Sequence, residues 1–588
     1  MRPNLHPSTR RLLLLPLLLL ATLTQLNAQT SSPVWYRSND PDAAPFTSGT
    51  ISPAGNGYAL SASASFQRSA SSSELTRSLA SLDAAGTPLW SLASREEELS
   101  LQADPASPTH AFAYRFGDQH LELARIHGPT ASPAYSLRYA LDASATERSI
   151  AFLSTSRVAV LQNRDSQLKL AVFDANGTLV FENRYSSAGF LPSSANDGAT
   201  QSLRLHSIEG SDQLYLTVLK SQPNQSKPTY NNTVFALRIG AQGQRIGASS
   251  FAIETVSRTL DRSSVVGEQL LIALPDTTVG IPGQPFSSVP STHLVLLSPS
   301  GALAFAQTLE GFSYSGSPVF RDGDSLLVAG SSPNSSGLFA TDAALAKLSA
   351  TNGTLELQAG FDLLASERLQ LVSLDGQNRY ATLESDDPEH ATSIFFSLNA
   401  SLQATAVKTA PLASLYGDAQ RAPRLCAYLP SKAAIGSIPL DSDLNATNSS
   451  DIALLDFPYS VVDPQIRSAA LSLSLLDLSV DIQVATPTLA NASFELVTHQ
   501  IEHHRGTPHS LASPISLAFR IQGNGTAQLS FLSEYGVEYQ LQSGDSPSGN
   551  FLTSQNLVGT GEAASFTPTL SSQAPQFFRV FKVTGSTP

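Results

Sequence analysis

Val172-Phe173-Asp174-Ala175-Asn176-Gly177-Thr178-Leu179-Val180 reads as an apolar strand, a tight polar turn and the start of a second strand. The same order recurs in Ser81-Leu82-Asp83-Ala84-Ala85-Gly86-Thr87-Pro88-Leu89-Trp90 and in Leu297-Ser298-Pro299-Ser300-Gly301-Ala302-Leu303. It recurs again in Leu348-Ser349-Ala350-Thr351-Asn352-Gly353-Thr354-Leu355. A short hairpin needs a positive φ at its turn, and glycine adopts it without steric cost. An Asp or Asn earlier in the turn hydrogen-bonds the local backbone. Weaker copies lie around Gly128 and Gly243, and two more, Ser397 to Leu402 and Pro439 to Leu444, lack the glycine. About eight turns thus recur at intervals of about 50 residues between residues 86 and 443. In an all-β pattern that period predicts a β-propeller. A β-helix has shorter coils, and tandem sandwiches rarely repeat one turn at this interval.

A further strand precedes each turn, as in Tyr58-Ala59-Leu60, Val158-Ala159-Val160-Leu161 and Leu326-Leu327-Val328-Ala329. Each unit then supplies most of a four-stranded blade, and continuous apolar runs suit sheets packed on both faces. Seven blades with a shared closing blade, or eight, satisfy the count. The expected organisation is a signal peptide over 1–28, a propeller over 30–450, closing strands or a linker over 451–512, and a C-terminal β-sandwich over 513–584. Leu471 to Ala485 is β-like and either closes the propeller or begins a linker.

The ends and the composition narrow the function. Arg10 and Arg11, the apolar run Leu12 to Leu20 and the small-residue site at Leu26-Asn27-Ala28 make a secretory signal. The apolar run is short for a membrane span, which takes about 20 residues. A bacterial periplasmic, cell-surface or secreted destination is expected, with no stable membrane span. The chain has one cysteine, Cys426, so no intramolecular disulfide can form. The net charge is −13 with no basic cluster, which argues against nucleic-acid binding.

The turn repeat resembles a broad family of bacterial secreted β-propeller repeats, in which an apolar run, Asp-x-x-Gly and a later Trp or Phe recur. The resemblance covers roughly residues 35 to 450. It implies architecture and leaves activity open, since propellers carry unrelated functions. Asp83-Ala84-Ala85-Gly86 with Trp90 also looks similar to quinoprotein dehydrogenase repeats. Those enzymes typically set a vicinal disulfide against the quinone, which a single cysteine cannot form, so no cofactor is expected. The stretches Gly536 to Ser543 and Phe577-Phe578-Arg579-Val580 resemble the small C-terminal β-domain of bacterial exported proteins. That likeness implies accessory or attachment duty.

Three motifs suggest chemistry, and each has a plainer reading. His499-Gln500-Ile501-Glu502-His503-His504 contains His-x-x-Glu-His, which binds zinc when a helix stacks its histidines one turn apart. Its flanks read as strand and loop, where positions four apart stand about 13 Å apart. Asp441-Ser442-Asp443-Leu444-Asn445 has the alternating oxygens of a calcium loop, but Ala446 replaces the expected glycine and Ile452 the closing glutamate. Glu96-Glu97-Glu98 reads as a solvated acidic loop. No catalytic or metal-binding residue is therefore assigned.

Loop length is the more useful signal. Long Ser, Pro, Asn and Gly loops are expected between the middle strands of the first, fourth, fifth and sixth units, including Lys220 to Asn232 and Pro275 to Thr292. They would emerge opposite the tight turns, where variable loops carry binding surfaces. Tyr230, Phe286 and Phe339 are the candidate ligand-binding aromatics there. The expected function is a monomeric, non-catalytic binding or scaffold protein with a protein or polysaccharide partner. The alternatives are an extracellular polysaccharide hydrolase or lyase, and a structural surface protein. Acids, His and Arg converging in the central funnel would favour an enzyme. A Ser- and Ala-lined funnel would favour binding.

Overall fold

The computed structural model describes residues 33–583 except for short segments, the longer ones being 39–45, 187–199, 257–262, 279–288, 334–340, 386–391, 506–517, 533–537, 545–551 and 569–576. The chain divides into two compact units, residues up to 507 and residues from 508 onward. The first unit is a β-propeller of eight antiparallel sheets. Seven blades are built from consecutive strands over residues 46–94, 100–140, 147–186, 200–255, 264–310, 313–362 and 367–411. The eighth combines three strands over 413–439 with the N-terminal strand Val34–Ser38, which pairs Val34 with Ser437 and Tyr36 with Ile435. That blade closes the ring by joining the two ends of the repeat. The count is eight, the larger of the two expected numbers.

The third-to-fourth-strand turns are the repeated motif. Gly86, Gly177, Gly243, Gly301 and Gly353 all take φ between 71° and 88°. Asp174 Oδ1 accepts backbone N–H bonds from Asn176 (2.8 Å) and Thr178 (2.9 Å). Asn399 and Asp441 do the same in the two copies without glycine. There Leu402 and Leu444 occupy the left-handed conformation, each at φ 57°. Both leucines are buried, Leu402 in a cluster with Leu357 and Ala359, and Leu444 in one with Ala406. Apolar burial offsets the left-handed strain at these two turns.

Glycine has a second duty in the other copies, because each turn docks on the outer strand of the preceding blade. A Cβ at Gly177 would lie 2.6 Å from the Tyr135 ring, and one at Gly353 would lie 2.5 Å from Phe305. Gly86 sits against Tyr36, whose hydroxyl donates to the Gly86 carbonyl at 2.7 Å. In blade 2 the two duties separate. Gly128 lies under the Trp90 ring, while Ala131 takes the positive φ of 51°. Trp90 is thus a blade-docking residue, and its Nε1 donates to the Pro108 carbonyl at 2.6 Å.

Residues after the last blade turn form a belt around the propeller. They give every blade one further edge strand: Leu455–Asp456, Ser460–Val462, Arg467–Ala470, Leu476–Asp477, Asp481–Val484, Leu489–Ala490, Leu496–Thr498 and Ile501–Arg505. The order is reversed, from blade 7 back through blade 1 and on to Val34–Ser38 in blade 8. The belt also inserts apolar side chains between blades. Phe457, Ile466, Val480, Leu496 and Ile501 each join a different inter-blade core cluster. The β-like stretch Leu471 to Ala485 is part of this belt. Its Leu471, Leu473 and Leu475 pack on the cluster between blades 4 and 5.

Two of the expected long loops are largely strand. In blade 1 the strands Gly57–Ser69 and Ser72–Leu82 pair out to Ser69 and Ser72, so the Ser-rich segment is a long hairpin. In blade 4 Pro223 pairs with Tyr230, leaving a connection of residues 224–229. Serine, asparagine and proline give these extensions the composition of a loop. In blade 5 the strands Gln269–Thr278 and Val289–Leu297 likewise take up both ends of the Pro275 to Thr292 stretch. The second unit contains two three-stranded sheets with a shared core of Leu529, Phe531, Tyr539, Leu541 and Phe566.

Candidate functional site

Antiparallel succession puts the first-to-second and third-to-fourth connections of every blade at one end of the propeller. Charged residues at this turn end serve mainly as inter-blade ties. Arg125 Nε donates to buried Asp104 Oδ2 at 2.8 Å, and Ser156 of blade 3 donates to the same carboxylate at 2.7 Å. Arg157 and Asp212 join blades 3 and 4 at 3.3 Å. Arg238 and Glu268 join blades 4 and 5 at 3.0 Å, and Arg379 and Asp322 join blades 6 and 7 at 2.7 Å. At the other end of blade 2, beside the connection 117–119, Glu122 is buried between Arg115 and Arg138 on neighbouring strands. Glu96, from the acidic triplet, also pairs with Arg115.

These arrangements carry a pH signature. Burial opposes the charge on Glu122, but the Arg115 and Arg138 guanidiniums hold its carboxyl below the ordinary 4.5. Asp322 is likewise held below 3.8, with Arg379 and Lys347 outweighing burial. His206, half-buried on the inner strand of blade 4, is lowered from 6.5 to about 4 by burial and then by Arg204. Above pH 6.5 both folded and unfolded chains hold this imidazole neutral. Between 6.5 and about 4 the unfolded chain takes a proton that the folded chain refuses, so stability falls across that window. The carboxylate contributions are present above about pH 4.5 and are lost below it. Melting temperature is therefore expected to fall in two phases, and His206→Gln should flatten only the upper one. A wild-type melt unchanged from pH 7 to 4.5 contradicts the assignment.

Several groups that suggest chemistry are structural. Asp276, His293 and Thr308 form a relay, with His293 Nε2 3.0 Å from Asp276 Oδ2 and Nδ1 2.9 Å from Thr308 Oγ1. Thr308 is buried and lines neither of the cavities described below. Burial pushes the Cys426 thiol up to about 12, which leaves it protonated and inert. Residues Ile501–Arg505 form a strand on Val34–Ser38, so Glu502 and His503 lack helical spacing; His499 lies outside the described residues. The Asp441 carboxylate caps its own turn through Asp443 and Asn445. Among the described residues no group of three or more His, Cys, Asp or Glu could hold a metal ion.

Two cavities open at the opposite, loop end. One, of about 440 Å³, lies between blades 1 and 2, across the first three strands of blade 1, and is lined by serines, Thr50, Arg77 and Tyr114. The other, of about 700 Å³, lies at the rim between blades 5 and 6, where the belt crosses. Val289, Pro333, Val462 and Pro464 make its apolar wall, and Glu310 and Asp342 add carboxylates. Tyr230 is half-buried at the loop end of blade 4, where its strand begins. Phe286 and Phe339 lie outside the described residues. The structure does not bring Tyr230 into either cavity. Neither cavity was foreseen from the sequence, because each is assembled from distant strands.

No protein-family model matches this chain, and no curated protein matches it either.

Proposed function

We propose that this chain is an exported, non-catalytic binding protein that engages a protein or polysaccharide at the loop end of its propeller. One observation carries the reading: both cavities open at the loop end, where the connections between strands vary in length, and the one beside blade 1 has no acidic residue among the described residues that line it. The cavity beside blade 1 is dominated by hydroxyls, which suits recognition better than general acid–base work. The larger rim cavity has the mixed apolar and polar lining of a ligand site. The C-terminal unit is assigned attachment or accessory duty. Among the described residues no helix is long and apolar enough to cross a membrane.

The test is a screen of the purified mature chain on glycan and protein arrays, run beside turnover assays on the same polysaccharides. Saturable binding without bond cleavage is expected. Cleavage with catalytic turnover, or no binding to either array, overturns the reading.

A further inference from the structure

We propose that the 440 Å³ cleft between blades 1 and 2 binds an anionic saccharide, with Arg77 holding the acidic group. This rests on the binding reading above and adds a ligand class and a place. Strand register builds the site. Ser48 pairs with Ser63, and Ser63 with Arg77; two positions along, Thr50 pairs with Ser61, and Ser61 with Leu79. Paired residues and alternate residues share one face of a sheet. Ser48, Thr50, Ser61, Ser63, Arg77 and Leu79 therefore face the same way.

Leu79 shows which way that is. It packs with Leu92 against Leu99, Ala111 and Ala113 at the interface with blade 2. Toward the loop end, hydroxyls and Arg77 replace the leucines on that face, and the interface opens into the cleft. Ser100 and Tyr114 stand on the blade 2 side. The Tyr114 ring itself packs toward blade 3, against Phe152 (centroids 5.4 Å apart) and Phe116 (6.2 Å), so its strand forms the cleft wall without presenting the ring.

Arg77 differs from the arginines that tie the sheets. Arg115, Arg125, Arg138, Arg157, Arg238 and Arg379 each meet a carboxylate. The Arg77 side chain is exposed and makes no ion pair or hydrogen bond among the described residues, and no acidic residue is among the described residues that line its cleft. A guanidinium takes a carboxylate or sulfate through a pair of parallel N–H bonds. Serine and threonine hydroxyls both donate and accept, matching sugar hydroxyls. The volume lies within the roughly 300–1,000 Å³ of small-ligand sites. A neutral ligand would leave Arg77 unused, and a cationic one would be repelled.

Titration calorimetry on the full mature chain decides it, with three probes: an oligogalacturonate, the same oligomer fully methyl-esterified, and a sulfated galactan fragment. Binding to at least one anionic probe is expected; which of the two binds separates carboxylate from sulfate. Affinity should fall about tenfold or more on esterification or in Arg77→Ala, and should weaken with added salt. Arg77→Lys should keep part of it. Because Arg77 is exposed, both variants should melt like the wild type. Equal affinity for the esterified oligomer, or no change in Arg77→Ala, overturns the proposal and leaves the general binding reading standing. Failure of every saccharide while a protein partner binds elsewhere on the loop end does the same.

Discussion

A chain ending at residue 450, without the belt, is expected to melt at least about 10 °C below the full-length protein and to become protease-sensitive at its N-terminus. The belt edges all eight blades and packs apolar side chains into most of the inter-blade clusters. It also holds Val34–Ser38 from outside, pairing Val34 with Arg505 and Ser38 with Ile501. Without it, the strand that closes the ring becomes an open edge with one partner. A fall of about 10 °C corresponds to a loss of more than about 4 kcal/mol, because a unit of this size shifts by less than the roughly 2–4 °C per kcal/mol of a 150–250-residue domain. Should the truncated chain not accumulate, Ile466→Ala supplies a graded version. Ile466 is 3% exposed and packs with Val266, Phe312 and Leu348, so its truncation should cost about 2–4 kcal/mol. Thermal melts and limited proteolysis measure both. A truncated chain melting within about 2 °C of the full length would reduce the belt to a passive tether.

The repeat was legible because its physics is local. An Asp or Asn, a tight turn and a left-handed residue lie within six positions, so one stretch such as Asp174 to Leu179 reports its own conformation. Even the copies without glycine kept the capping residue, Asn399 or Asp441, and so remained countable. The belt was less legible for the opposite reason. Its strands are two to five residues long, too short for a periodic signal, and their conformation comes from the blade edges they meet. The hairpin of blade 1 misled for a related reason. Its Ser-rich strands have the composition of a loop, and only pairing partners reveal them. Arg77 sits in that hairpin, which is why the cleft beside it could not be read from neighbours in sequence.

The division of labour between the two ends follows from the repeat itself. Every blade must dock on the last through its third-to-fourth-strand turn, so the turn end is under one packing constraint repeated around the ring. The tyrosines and arginines there are tied: Tyr185 donates to the Gly243 carbonyl at 2.8 Å, and Tyr215 to that of Glu268 at 2.7 Å. The connections at the loop end meet no such requirement. They vary in length, and the clefts form where their strands diverge. The docking turns therefore lie at one end, and the two cavities open at the other.

Substitution of single glycines separates the two duties assigned to the turns. Gly177→Ala should destabilise by about 2–4 kcal/mol, and Gly210→Ala by only about 1 kcal/mol. The backbone strain is nearly the same, with φ of 76° and 70°. The surroundings are not. A Cβ at Gly210 meets no atom within 4 Å, while one at Gly177 enters the Tyr135 ring of the preceding blade at 2.6 Å. The difference between the variants measures docking, free of the φ contribution. Gly353→Ala, against Phe305, should resemble Gly177→Ala; Gly323→Ala, with open space around it, should resemble Gly210→Ala. Denaturant melts of the four variants decide the matter. Four equal losses would mean that the turns need glycine for backbone conformation alone and that the blades are held together by their buried faces.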